Sequence, residues 1–314
     1  MLYTTLKDTD LTISKLVLGT WAIGGGNWGP YDETGAVGAL EAALAEGMNT
    51  IDTAPAYGGG HAEELIGRVI KGKRDQVVIA TKCGLDIENG YRRDLTQPAV
   101  EKELEASLRR LGTNYVDLYQ IHWPDPETPL EYTFEALLKF REQGKIRYIG
   151  VSNFSADDLR EALAFGPVAS LQPPYSLLDR GVERELQPLC AQRGVAMIPY
   201  GSLGAGMLTG KYSEPPQFKK DDARSFFYAF FQKKYWPGVS TLVEGVKRIA
   251  GERGARPGHV AIAWLLGREG VAGTIVGARG PEQVRDNLGG VELALTAGET
   301  AELDRLSAAV YGTE

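Results

Sequence analysis

The chain has 314 residues, 43% of them hydrophobic, and its 34 Lys and Arg against 41 Asp and Glu give a formal net charge of −7. That length supports a large core, and the acidic balance without a basic block excludes a nucleic-acid partner. No apolar run reaches the roughly 18 residues of a membrane helix, and the N-terminus lacks a signal peptide's apolar segment, so a soluble cytoplasmic protein without a membrane partner is expected.

The start, LYTTLKDTDLTIS, reads as a short hairpin closing the bottom of the fold. Apolar strand-like runs follow: KLVLG (15–19), MNTI (48–51), QVVIA (76–80), YVDLYQI (115–121), IRYIGV (146–151), PVASL (167–171), GVAMIP (194–199) and GTIVG (273–277). Several are continuously apolar, as suits parallel strands covered on both faces. Helical patterns lie between them: AVGALEAALAEG (36–47), PAVEKELEASLRRLG (98–112), TFEALLKFREQGK (133–145) and VERELQPLCAQRG (182–194), the last with a proline expected to disturb it. Two more, STLVEGVKRIAGERG and GHVAIAWLLGREG, precede the final strand. Eight strands with intervening helices predict an α/β (β/α)8 TIM barrel. Residues 1–314 read as one domain, with an N-terminal hairpin, a long loop after strand 7 and C-terminal helices. In that loop (207–240) the aromatics of SFFYAFFQKKYW argue for a lid folded over one end of the barrel rather than for disorder.

The two cysteines, Cys83 and Cys190, sit in or beside apolar segments far apart and read as reduced and structural. With three histidines at irregular spacing they make no zinc set, and no metal is expected.

In such barrels chemistry sits where strands end and βα loops begin. Asp52, Tyr57, Lys82, His122 with Trp123, Ser152, Asn153, Gln172 and Tyr200 all fall there. A lysine ammonium beside a tyrosine lowers the phenol's pKa, and a buried aspartate keeps that lysine charged. A histidine on the same side can donate to a substrate carbonyl oxygen. The four together make a proton-donating oxyanion site for a carbonyl that receives hydride. Each residue also has a plainer reading: Asp52 as a turn or cap, Tyr57 as a packed ring, Lys82 reaching solvent, His122 as a core residue.

IDTAPAYG with Asp52 and Tyr57, ATK with Lys82, DLYQIHWPD with His122, GKIRYIGVSNF (144–154) and IVGARGPEQVRDNLG (275–289) together resemble the aldo-keto reductases. The resemblance covers about residues 11–308. Segments such as QIHWPDP and QPPY are most similar to the bacterial branch of general stress and vegetative reductases.

The resemblance implies a catalytic tetrad of Asp52, Tyr57, Lys82 and His122, with Tyr57 as the acid, and NADPH/NADP+ as cofactor. It assigns Ser152 and Asn153 to the nicotinamide carboxamide with Gln172 assisting, and Tyr200 to stacking on the ring. Gly201, Ser202, Leu203 and Gly206 in GSLGAGMLTGK would line the pyrophosphate, and Arg279, Gln283, Asp286 and Asn287 the adenosine end. Many members carry two basic residues where this chain has Gly277 and Gln283; Arg279 remains to match a 2′-phosphate. Without the resemblance, GSLGAGMLTGK also reads as a plain flexible loop and Arg279 as a solvated loop arginine.

GSLGAGMLTGK is no Walker motif, because Ala205 and Tyr212 stand at its required positions. GGGNWG (24–29) contains GxGxxG by letter but opens no helix at once, so no Rossmann site is read there.

Trp21, Trp123 and Phe154 are expected to shape the substrate pocket, with part of 218–236, although both tryptophans also read as core packing. No arginine cluster demands an anionic group on the substrate. The expected function is NADPH-dependent reduction of aldehydes and ketones on a small-molecule carbonyl, by a monomer or weak oligomer. Oxidation of a polyol or inositol-like alcohol at the same site is the alternative, and an NADP(H)-binding redox-sensing module is a third reading.

Overall fold

The computed structural model describes residues 1–25, 31–220, 222 and 224–311, and of Phe226 only the backbone. Short aliphatic runs bounded by turn residues form the strands, and amphipathic segments between them form the helices. In chain order these are β1 (Tyr3–Thr5), β2 (Thr12–Ser14), β3 (Leu16–Gly19), α1 (Glu33–Ala45), β4 (Thr50–Asp52), α2 (His61–Val69), β5 (Val78–Cys83), β6 (Leu85–Asp86) and β7 (Arg92–Arg93). Then come α3 (Gln97–Leu111), β8 (Val116–Ile121), α4 (Leu130–Glu142), β9 (Ile146–Ser152), α5 (Ala156–Phe165), β10 (Ser170–Gln172), α6 (Leu186–Arg193) and β11 (Ala196–Met197). The chain ends with α7 (Arg224–Phe227), α8 (Trp236–Glu252), α9 (Pro257–Leu266), β12 (Thr274–Gly277), α10 (Pro281–Glu292) and α11 (Ala297–Ala308).

Eight strands pair in parallel in the order β11-β10-β9-β8-β5-β4-β3-β12. The sheet closes on itself where Ala272 N donates to Met197 O at 2.9 Å and Ile275 N to Pro199 O at 2.8 Å. This is the (β/α)8 barrel that the alternation of patterns predicts. Apolar side chains pointing outward meet the helices and form the main core, with Leu40, Ile51, Phe134 and Val151 all fully buried. Those pointing inward, among them Val17, Ala80, Leu118, Ile198 and Ile275, make a second, smaller core inside the barrel.

The β1–β2 hairpin closes the bottom, as expected, and delivers Leu6, Leu11 and Ile13 to the inner core. Polar ties fasten it there: Arg147 donates to Asp10 and to Asp117 at 2.7 Å each, and Arg74 to Asp117 at 2.8 Å. The buried carboxylate of Asp117 is thus matched by the half-buried Arg74 and Arg147, and Arg147 reaches on to the exposed Asp10, so the desolvated Asp117 does not stand unpaired.

All eight predicted strands form, with shifted ends. The third barrel strand, β5, continues to Cys83, so Lys82 lies within the strand and not past it. Pro188 does not disrupt its helix, because α6 starts only at Leu186 and the proline falls in the first turn, where a missing N–H costs little. Helices α2 and α5 and the small hairpin β6–β7 are additional to the expected elements. The crossover after the seventh strand folds as a 3-10 turn (Gly204–Thr209), the short α7 and two further 3-10 turns, with Phe230 buried; residues 221 and 223 within it lie outside the described residues. Among the described residues no helix is long and apolar enough to cross a membrane.

Candidate active site

Asp52 ends β4 and Lys82 lies near the end of the adjacent β5, so parallel pairing alone sets their side chains next to each other inside the barrel mouth. Tyr57 enters from a 3-10 turn (Tyr57–Gly60) just past β4. The ammonium of Lys82, fully buried, donates to Asp52 Oδ1 at 2.7 Å, to Thr53 O at 2.9 Å and to Tyr57 Oη at 3.1 Å. Its three donors are all used. The other carboxylate oxygen, Asp52 Oδ2, accepts from Gln172 Nε2 at 2.7 Å and Gln120 Nε2 at 3.2 Å. A buried ion pair persists only when its remaining lone pairs and protons are satisfied, and here they are.

The electrostatics depart from expectation in one respect. Lys82 was expected to lower the phenol's pKa, yet burial, reinforced by the Asp52 carboxylate, holds Tyr57 well above its ordinary value. Asp52 offsets much of the lysine's charge as the phenol feels it, so desolvation wins. Burial lowers Lys82 as well, against the raising influence of Asp52. His122 is driven well below the ordinary histidine value, by burial first and Lys82 second, and is a neutral imidazole. Its backbone is pinned by His122 N donating to Cys83 O and by Asn153 Nδ2 donating to His122 O, both at 2.9 Å. The Tyr57 and His122 rings meet edge-on with centroids 6.0 Å apart.

The four tetrad residues therefore come together. Beside them, Ser152, Asn153, Gln172 and Tyr200 join in one network. Ser152 Oγ donates to Gln172 O at 2.9 Å, Asn153 Nδ2 to Ser152 Oγ at 3.1 Å and Tyr200 Oη to Asn153 Oδ1 at 2.8 Å. Asn153 holds a left-handed backbone (φ 59°), which asparagine tolerates better than most residues, and this turn aims its amide across the rim. Directly after it Ser155 and Asp158 form a capping box that starts α5 and fixes the turn. The amide nitrogen of Gln172 is committed to Asp52, so this residue serves the tetrad's carboxylate as well as the rim.

After β11, Gly201, Gly204, Ala205 and Gly206 all have positive φ, turning backbone amides into a concave loop of the kind that receives anions. Ser202 is buried and ties this loop to β12 by donating to Ile275 O at 3.0 Å, and Leu203 packs against the core. Lys211 curls back over it: a Cβ on Gly206 would lie 2.8 Å from the lysine Nζ. At the start of α10, Arg279 is exposed, and its backbone N donates to Gln283 Oε1 at 2.8 Å. Asp286 pairs with Arg256 at 2.9 Å and lies 3.2 Å from His259 Nε2, and Asn287 is half-buried on the same helix. These donors, an aromatic ring and a left-handed glycine turn follow β9, β10, β11 and β12 in succession, and as a set they fit a nicotinamide dinucleotide.

Trp21 stacks on Tyr57 (centroids 5.9 Å apart, planes 16° apart), and Phe227 of α7 meets Trp21 edge-on at 5.8 Å, so the crossover does reach the mouth of the barrel. Trp123 is half-buried beneath Arg93. Phe154 is not a pocket residue: it is 3% exposed and packed in the main core, because the chain turns inward before the capping box. The loops carrying Trp21 and Tyr57 touch backbone to backbone; a Cβ on Gly58 would overlap the carbonyl of Gly24, and one on Gly24 would lie 2.8 Å from Tyr57 O. Of GGGNWG, residues 26–29 lie outside the described residues.

Gln120, Thr53 and Lys211 join the site without a sequence motif that marks them. Gln120 hides in an apolar strand, Thr53 contributes a carbonyl and not its side chain, and Lys211 stands in a loop that fails the Walker pattern. Lysine at the end of a glycine-rich loop was the available signal.

Comparison with known proteins agrees with this geometry. The model of the Aldo/keto reductase family matches residues 15–308. The chain is 42% identical over 288 residues to "Aldo-keto reductase YhdN" of Bacillus subtilis (strain 168), covering 90% of this chain and 87% of the relative. It is 34% identical to the "NADH-specific methylglyoxal reductase" of Escherichia coli (strain K12), covering 97% and 98%. Among solved structures, the glycerol dehydrogenase AKR11B4 from Gluconobacter oxydans superposes with a TM-score of 0.90 at 37% identity, covering 99% of this chain and 97% of that one. With a family match over residues 15–308 of a (β/α)8 barrel whose mouth gathers Asp52, Tyr57, Lys82 and His122, this chain belongs to the aldo/keto reductase family, in the neighbourhood of the bacterial YhdN-type reductases.

Proposed function

We propose that this oxidoreductase of carbonyl and alcohol groups works as an NADPH-dependent reductase of aldehydes and ketones, with Tyr57 delivering the proton. The observation that carries the reading is the single ammonium of Lys82 held between Asp52 and Tyr57. The bound nicotinamide supplies the hydride. On the protein side, Tyr57 keeps its proton at neutral pH because burial raises its pKa, and so stands ready as an acid. As the phenol gives up its proton, negative charge grows on Tyr57 Oη, where the Lys82 ammonium already donates. That interaction strengthens on the way to the transition state, which is where it accelerates the step. Neutral His122 donates a hydrogen bond to the carbonyl oxygen without competing as an acid. Ser152 and Asn153 orient the carboxamide, and Trp21 shields the phenol from water.

NADPH is preferred over NADH on the strength of the exposed Arg279 beside α10. One relative is named NADH-specific, and Gln283 is occupied by the backbone of Arg279, so that single arginine carries the preference.

The likeness to a glycerol dehydrogenase supports the reverse direction as a second reading, oxidation of a polyol by the same residues. Oxidation needs Tyr57 to accept a proton, and its raised pKa leaves little phenolate at neutral pH; the alcohol direction is then an alkaline activity. Initial rates with para-nitrobenzaldehyde and methylglyoxal, each with NADPH and NADH, against glycerol with the oxidised cofactors at neutral and alkaline pH, test both. Aldehyde reduction with NADPH should dominate at neutral pH. Turnover of glycerol alone would reject the reductase reading.

A further inference from the structure

The hairpin β6–β7 rises from the rim just past Lys82 and has no part in the reaction described so far. Its last residue, Arg93, lays its guanidinium over the ring of Trp123, 5.3 Å from the centroid, and donates from Nη1 to Pro124 O at 3.1 Å. Trp123 directly follows His122. The arginine is thus fixed from two sides against the segment that directly follows His122, with one of its five N–H donors used.

Among the described residues no carboxylate lies within ion-pair distance of Arg93, and the acids nearby are committed elsewhere. Glu127 pairs with Arg92 at 3.4 Å. Asp125 accepts from Leu95 N at 3.2 Å, Glu127 N at 3.0 Å and Thr128 Oγ1 at 2.7 Å. Asp94 accepts from the backbone N and the hydroxyl of Thr96 at 3.0 and 2.7 Å. A stacked arginine with no carboxylate partner of its own keeps its charge and four N–H donors for a ligand.

We propose that Arg93 selects substrates, its guanidinium receiving a carboxylate carried by the aldehyde whose carbonyl lies between Tyr57 and His122. The preferred class is then short or aryl aldehydes bearing an acid group, with the carbon skeleton lying along Trp123. Stacking on the ring holds the planar fork in place, so a carboxylate meets two parallel donors at little further ordering cost. This inference rests on the reductase reading above and names the substrate class for it.

The test compares kcat/KM for para-formylbenzoate with kcat/KM for its methyl ester, two aldehydes that differ in one charge. The acid-to-ester ratio should exceed one in the native enzyme and shrink in high salt. It should fall about tenfold in Arg93→Gln, the lower end for a charge-assisted hydrogen bond made at an exposed site. Arg93→Lys should recover part of it, since the charge returns without the fork. A hairpin anchor with no role in recognition would lower both substrates together and leave the ratio fixed. That result, or a native ratio below one, overturns the carboxylate site while leaving the reductase intact. A native enzyme that reduces neither aldehyde overturns the reductase reading, and this inference with it.

Discussion

Tyr57 is buried against a lysine whose charge is matched by an aspartate, so its phenol is a weak acid in the resting protein and becomes useful only when a partner accepts its proton. Tyr57→Phe keeps the stacking on Trp21 and removes only the hydroxyl. Reduction should fall by roughly 10²- to 10⁴-fold, the span of a positioned general acid, with cofactor Kd nearly unchanged in a fluorescence titration. Loss of both together would make the residue structural. Arg279→Ala should weaken NADPH binding about tenfold or more and NADH binding much less, because only the former carries the extra phosphate; equal losses reject its role. Asp52, Tyr57, Lys82 and His122 were legible because each is a polar residue inside, at the end of or just past an apolar run. Gln120 was not: within YVDLYQI it reads as strand filler, and its grip on Asp52 exists only once β8 stands two strands from β4 in a closed barrel. Phe154 misled for the opposite reason, since its place next to Asn153 suggested the rim while its side chain turns to the core.

At the scale of elements, every barrel strand was visible as an apolar run, and what escaped was short. Helix α2 spans only nine residues directly behind three glycines that read as a turn, and β6–β7 is two residues against two. The hairpin is nevertheless anchored chemically. Gly84 N, at its base, donates to Glu103 Oε2 at 2.6 Å, and burial with the nearby Asp86, Asp94 and Glu63 pushes the Glu103 carboxyl up to about 8. A carboxyl whose folded pKa exceeds its unfolded value near 4.5 stabilises the fold most fully below that lower value. Its contribution drains away as pH climbs towards about 8, because the unfolded chain has already released the proton. Glu103→Gln copies the neutral form and removes this dependence. Its Tm relative to the native protein should therefore rise steadily between about pH 5 and pH 8, and a constant difference across that window would count against the raised pKa.

At the scale of the molecule, the barrel separates two jobs: chemistry at the ends of the strands, stability at their beginnings. Ile13, wholly buried in the inner core under the hairpin β1–β2, belongs to the second job. Ile13→Ala should cost about 2–5 kcal/mol in denaturant unfolding, the range for emptying a buried aliphatic site, while kcat for aldehyde reduction stays close to native. A matching loss of turnover would mean that the plug reaches the reacting groups. This division could be read from the order of patterns, but the ion-paired clamp of Arg74, Asp117, Arg147 and Asp10 could not, because its members come from four separate segments.

The bare contact of Gly24 with Gly58 leaves no gap for a side chain between the two loops it joins. Those loops bear the stacked pair of Trp21 and Tyr57, so this side of the site is stiff, and yielding to admit a bulky guest falls to the crossover whose Phe227 rests on Trp21. Tolerance for new guests would then be sought by reshaping the crossover, with the tyrosine's own loop left untouched.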